Sequence, residues 1–283
     1  MDAQLTTTLV AACALACACA VLSIFVVLRR WAFIGEGIGH SGLGGAGTAW
    51  VLALLFPALD SPGVTYAFVV LFCLLTALGI GAVARSRRVN ADAAIGIFLV
   101  ASLAWGFLAQ QVYFQARHTN PYDFNTYLFG QVRGFGTEFA LASVALSAAV
   151  LLVVGVLWPQ IVAYCFDPLT AQTSGARAAL VHYLLMLLLG LVIVIGVRVA
   201  GSVLVTALLV LPGTTALALA RRMRGVVACA VAVALVGAVG GLLVNAKWSF
   251  LPVGPSIVLI LFAQFLIAQA IGAARDAAAA PAR

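Results

Sequence analysis

The stretch Phe33-Ile34-Gly35-Glu36-Gly37-Ile38-Gly39-His40-Ser41-Gly42 places a carboxylate and an imidazole four residues apart. On a helix that spacing puts both side chains on one face. A glutamate oxygen with a histidine nitrogen is a borderline ligand set that suits zinc, manganese or ferrous iron, and it lacks the thiolates of a tight structural zinc site. An incomplete set is what a site that must release its cation requires. Glycines at 35, 37, 39, 42, 44, 45 and 47 surround the pair and would allow either close helix approach or local unwinding. The bland alternative is an exposed Glu–His pair beside Arg29 and Arg30 that does nothing but stay solvated.

Few other residues offer chemistry. The histidines stand at 40, 118 and 182, too scattered in sequence for the fuller His/Glu cluster of a metalloenzyme. His118 and Asp123 read as solvated loop residues, His182 as a packed or hydrogen-bonded residue inside an apolar run, and Asp92 as a helix N-terminal cap or dipole partner. The six cysteines form no C-x-x-C pair and read as small buried hydrophobes. Lys247, the only lysine, follows Val244-Asn245-Ala246, so no G-x-x-x-x-G-K-[ST] loop cradles nucleotide phosphates. The chain is expected to be no enzyme itself, with any ATP hydrolysis on a separate chain. Asp167-Pro168-Leu169-Thr170-Ala171-Gln172-Thr173-Ser174-Gly175 reads as a short helix, with Asp as cap, Pro at the first position and Gly at the stop. It is either a handle for a soluble partner or an ordinary interfacial connector.

The elements that must position these residues are membrane spans. Of 283 residues, 65% are hydrophobic and 8% charged, a composition that excludes an ordinary soluble domain. Long unalternating apolar runs such as Leu180–Ile195 favour helices over strands. The expected fold is an all-α polytopic transmembrane bundle with spans near 8–28, 41–59, 64–84, 93–113, 137–157, 179–196, 199–219, 226–245 and 255–273. Only Gly196-Val197-Arg198 divides the sixth from the seventh, which leaves eight spans plus a re-entrant element as the alternative to nine. Residues 1–275 read as a single domain containing a cytoplasmic segment at 158–178, and 276–283 as a disordered Ala-rich tail.

The net charge of +7 falls in small groups between spans, which fits membrane topology and not nucleic acid. Alternating the loops puts eleven arginines on one side, among them Arg29, Arg85, Arg221, Arg222, Arg224 and Arg275. The other side collects Arg117, Arg133, Arg198 and Lys247. The bias predicts an outside N-terminus and a cytoplasmic C-terminus.

Four segments, in order over nearly the whole chain, resemble the permease family of metal-type ABC importers, the zinc, manganese and iron group known as ABC-3. Residues 30–41 are similar to the family's stretch after its first span, where an acid precedes a histidine by four. Ala93-Ala94-Ile95-Gly96-Ile97 resembles its T-A-I-G-I segment, and Tyr127-Leu128-Phe129-Gly130 its Y-L-F-G turn. Phe166-Asp167-Pro168 and the later Val199–Pro212 are similar to its F-D-P helix and its V-G-x-L-L-V-x-A-L-L-x-x-P span. The order and spacing of the four carry the likeness. It departs at Glu36, where Asp is usual, at Gly39, where Ser is common, and at Leu43-Gly44-Gly45, where the family commonly reads L-P-G.

The resemblance implies a homodimeric permease in a bacterial plasma (inner) membrane, with no permanently bound cofactor. It implies a metal pathway through Glu36 and His40, and ATP-binding subunits docked on the segment holding Phe166, Asp167, Pro168 and Gly175. An extracytoplasmic metal-binding protein would deliver zinc, manganese or iron. Two copies would bring two Glu36 and two His40 together for one ion. A proton-coupled or facilitative carrier using the same pair as a relay is the rival expectation.

Overall fold

The computed structural model describes residues 3–86, 88–119, 137–166, 178–248 and 250–279. Among them the fold is all-α. In chain order the helices are α1 (Ala3–Leu28), α2 (Ile34–Leu55), α3 (Pro62–Arg85), α4 (Ala91–Arg117), α5 (Thr137–Val156), α6 (Trp158–Phe166), α7 (Ala178–Ala200), α8 (Ser202–Leu219), α9 (Met223–Lys247) and α10 (Val253–Ala279). All but α6 contain a stretch long and apolar enough to cross a bilayer, which makes nine spans among the described residues.

Local chemistry sets the helix ends. Ser61 caps α3, its hydroxyl accepting from the Val64 N–H at 3.3 Å, and Pro62 occupies the first helical position. Asn90, and not Asp92, stands at the N-cap of α4 without a side-chain cap bond; Asp92 lies in the first turn, where the helix dipole favours it. His118 closes α4 in the left-handed region at φ 54°. The sixth and seventh spans part at Gly201, whose φ of 81° is open to glycine, and not at Gly196-Val197-Arg198. Gly196 is instead a packing residue, since a Cβ there would meet Val205 Cγ2 at 2.6 Å. Trp158–Phe166 forms a helix of its own, and α10 runs on to Ala279, into the tail expected to be disordered, because alanine is the strongest helix former.

The helices fall into two compact units. In one, made of residues 1–29, 134–156 and 207–283, α1 packs on α5 and α9, and α9 on α10. Gly213 of α8 lies so close to α1 that a Cβ would stand 2.7 Å from the Ser23 carbonyl oxygen. Gly241 of α9 lies as close to α10, where a Cβ would stand 2.8 Å from the Ile257 backbone nitrogen. In lipid no hydrophobic force draws helices together, so such backbone approaches supply the dispersion contacts that do.

The other unit, residues 30–133 and 157–206, holds α2 against α3, α4 and α7, with α6 on α7. The glycines of α2 serve close approach and not unwinding, for the helix is continuous from Ile34 to Leu55. A Cβ at Gly45 would sit 2.7 Å from Val69 Cα and 2.8 Å from the Phe68 carbonyl oxygen of α3, and one at Gly47 2.8 Å from Ala109 Cβ of α4. Gly106 of α4 returns the approach, meeting Leu43 at 2.6 Å. Trp105 Nε1 donates to Thr48 Oγ1 at 2.9 Å, and that hydroxyl donates back to the Gly44 carbonyl, so one polar chain ties α4 to α2.

Candidate metal-transfer site on the second span

Because α2 is helical through residues 34–55, Glu36 and His40 share a face one turn apart. Their side chains meet: His40 Nε2 lies 2.8 Å from Glu36 Oε2, with the imidazole 23% and the carboxylate 26% exposed. A carboxylate can only accept, so Nε2–H is the donor. His40 Nδ1 is buried with no hydrogen-bond partner. In the neutral ring that atom carries the free lone pair, so the pair presents an oriented imidazole nitrogen and a carboxylate with capacity to spare. A carboxylate behind a ligating histidine fixes its tautomer and raises its basicity.

The adjoining stripe of α2 is glycine at the same spacing. A Cβ at Gly35 would stand 2.8 Å from Thr206 Oγ1 of α8, and one at Gly39 3.3 Å from Val197 Cγ2 of α7 and 3.5 Å from Ser202 Cβ. The two glycines thus seat α2 against the α7–α8 corner that Gly201 creates. Thr206 arrives beside the Glu36 carboxylate, within reach of a side-chain hydrogen bond to it, but the geometry is too poor for a well-formed one and the buried hydroxyl is left without a good partner. On the far side, Gly37 faces Ile95 of α4 at 2.7 Å. The Cys73 thiol and the Ser41 hydroxyl, at 3.4 and 2.6 Å, both reach the Ile38 carbonyl between the two site residues. The helix that carries the pair is therefore held on three sides.

Thr206 escaped the sequence reading. A single threonine in an apolar run has no local signal, and its neighbour Glu36 is far away in the chain.

The remaining candidates lie elsewhere. His182 is buried on α7: its Nε2 is 2.8 Å from the Gly81 carbonyl and its Nδ1 2.7 Å from the Tyr164 hydroxyl, with Trp31 edge-on at 5.6 Å. The carbonyl can only accept, so Nε2 bears the proton and Nδ1 accepts from tyrosine. It is the hydrogen-bonded core residue that the sequence suggests. Phe166 is exposed at the end of α6, while Asp167, Pro168 and Gly175 lie outside the described residues, as do Asp123 and Tyr127–Gly130. Among the described residues no group of three or more His, Cys, Asp or Glu side chains converges.

A chain whose described residues are all-α and form nine membrane-length helices, the second of which carries a half-buried carboxylate–imidazole pair, is a polytopic membrane protein with a polar site set into its helical wall. The model of the ABC 3 transport family matches residues 1–272, and the chain belongs to that family. It is 31% identical over 250 residues to the manganese transport system membrane protein MntC of Halalkalibacterium halodurans, covering 88% of this chain and 81% of that one. A probable iron transport system membrane protein of Haemophilus influenzae is 31% identical over 252 residues, covering 89% and 88%. In structure it is similar to PsaBC from Streptococcus pneumoniae, solved in complex with Fab, with a TM-score of 0.76 and 26% identity over 95% of this chain and 91% of that one.

Proposed function

We propose that this chain is the membrane-spanning permease subunit of an ATP-driven importer that carries a divalent transition metal, zinc, manganese or iron, into a bacterial cytoplasm. The observation that carries the reading is the contact between Glu36 and His40, which leaves an imidazole nitrogen without a partner on a half-buried face of a membrane span. The manganese and iron named for its relatives support the cargo class, and the borderline donor set suits each of the three metals.

The working unit is a homodimer in which two Glu36–His40 pairs converge on one ion, since a single pair provides only two protein ligands. Cytoplasmic ATP-binding subunits dock on the segment 158–178 through Phe166, Asp167, Pro168 and Gly175, and an extracytoplasmic binding protein delivers the metal at the opposite side. The distribution of arginines supports an outside N-terminus and a cytoplasmic C-terminus. ATP-driven closure changes the ligand geometry, so that the ion is held in one state and released in the other.

Uptake of radioactive zinc, manganese and iron into vesicles holding the chain with its ATPase and binding protein tests this. ATP-dependent uptake of one metal, lost in His40→Ala, is expected. An assembled complex that moves none of the three, or that moves one without ATP, would refute the importer reading.

A further inference from the structure

At the junction of α8 with α9, the end of α8 and the last turns of α10 enclose an open cleft of about 530 Å³, lined by residues 217–220 with Arg221, Gly272 and Arg275. That volume lies within the range of about 300–1,000 Å³ found for small-molecule sites. Among the described residues no acidic side chain lines it, and both arginines are exposed. Arg275 Nη1 donates to the Leu219 carbonyl at 3.2 Å, which pins one arm of the guanidinium to the end of α8 and leaves donors of its planar fork for a ligand. The C-terminal end of α8 opposes an anion with roughly half a negative charge, but two full positive charges outweigh it. Gly272 keeps the floor open, for even a Cβ there would have only the Ala218 carbonyl oxygen, at 3.8 Å, within reach.

The surroundings make the cleft one end of a longer track. Ile267, Ile271 and Arg275 follow one another at four-residue spacing and so share a face of α10. Ile267 and Ile271 are 60% and 40% exposed. A ligand with a phosphate between the arginines would therefore lay an apolar tail along the two isoleucines in the bilayer. We propose that this cleft binds the phosphate headgroup of an anionic phospholipid, with Arg221 and Arg275 as its ligands and the Ile271–Ile267 stripe as its acyl-chain track. A free phosphate would share the arginines but have no use for the stripe. Arg222 and Arg224, exposed nearby but outside the cleft, provide the internal control.

The test is native mass spectrometry of the full-length chain in detergent, titrated with phosphatidylglycerol or with phosphatidylcholine of the same acyl chains. Wild type is expected to prefer phosphatidylglycerol. Arg221 and Arg275 would each hold the phosphate through charge-assisted hydrogen bonds, so Arg221→Ala/Arg275→Ala should weaken phosphatidylglycerol binding by about tenfold or more and abolish its preference over phosphatidylcholine. Arg222→Ala/Arg224→Ala should stay within about twofold of wild type, because those side chains contribute only diffuse attraction. Gly272→Leu, which keeps every charge but fills the cleft, should also reduce binding, and it decides the matter if the double arginine variant elutes as aggregate. Equal phosphatidylglycerol binding by wild type and the cleft variants would overturn the proposal, as would an equal loss in the control pair. Displacement of the lipid by millimolar inorganic phosphate would assign the arginines to a free anion instead.

Discussion

Glu36 Oε2 and His40 Nε2 stand 2.8 Å apart on one turn of α2, and the other ring nitrogen of His40 is buried with nothing to bond. The carboxylate orients the imidazole, and in the proposed site the other ring nitrogen would face the cation. Removing either member should therefore affect metal binding far more than folding. A carboxylate that hydrogen-bonds a metal-ligating histidine is worth about 10–100-fold in metal affinity. Both side chains are about a quarter exposed, so their contact contributes only about 1 kcal/mol to stability. Glu36→Gln and His40→Ala should each lower manganese affinity at least tenfold in the purified protein, read by isothermal titration, with thermal midpoints near wild type. An unchanged affinity in both would remove the pair from the pathway.

The packing of α2 makes a sharper claim about stability. A Cβ at Gly45 would meet backbone atoms of α3, Val69 Cα at 2.7 Å and the Phe68 oxygen at 2.8 Å, and backbone cannot rotate away as a side chain can. Overpacking of this kind costs about 1–3 kcal/mol. Gly45→Ala should melt below wild type in detergent. Gly96→Ala on α4, where nothing lies within 4 Å, should instead hold or gain, by up to about 1 kcal/mol from helix propensity.

Much of this was legible in the sequence, for identifiable reasons. Spans of about twenty apolar residues are dictated by bilayer thickness, and the Glu36–His40 pair is an i, i+4 relation that needs only a helix to come true. What escaped depended on other elements. Gly196 looks like a break but is a contact with Val205, whereas the break falls at Gly201, where only the dihedral angle distinguishes one glycine from the other. Thr206 reaches Glu36 because α8 starts at that corner, which no window centred on either residue contains.

Tyr164 of α6 and Gly81 of α3 are joined through the His182 ring, at 2.7 and 2.8 Å. The ring is buried, so deleting one partner takes a bond from a group that water does not reach. Tyr164→Phe keeps the shape and loses only the donor, and should cost about 1–3 kcal/mol. His182→Ala, which also opens a cavity against Trp31 and Tyr183, should cost more. Thermal melts of the two variants that coincide with wild type would show that the bonds add nothing to stability.

Thr206 leads to the opposite expectation. Its hydroxyl is buried beside the Glu36 carboxylate without a well-formed hydrogen bond of its own, while Gly35 presses against it and leaves no room for a larger neighbour. An unsatisfied buried polar atom costs about 1–3 kcal/mol, so Thr206→Val, which exchanges the hydroxyl for a methyl group of similar size, should raise the thermal midpoint. Such a hydroxyl is retained where it serves a function that stability does not measure, and here the nearest function is the charge on Glu36. The same variant should therefore lose manganese affinity at the Glu36–His40 pair while it gains in melting temperature. A variant that gains stability with affinity intact would make Thr206 a packing residue alone. One that loses stability would mean that the hydroxyl is bonded when the protein is in its membrane.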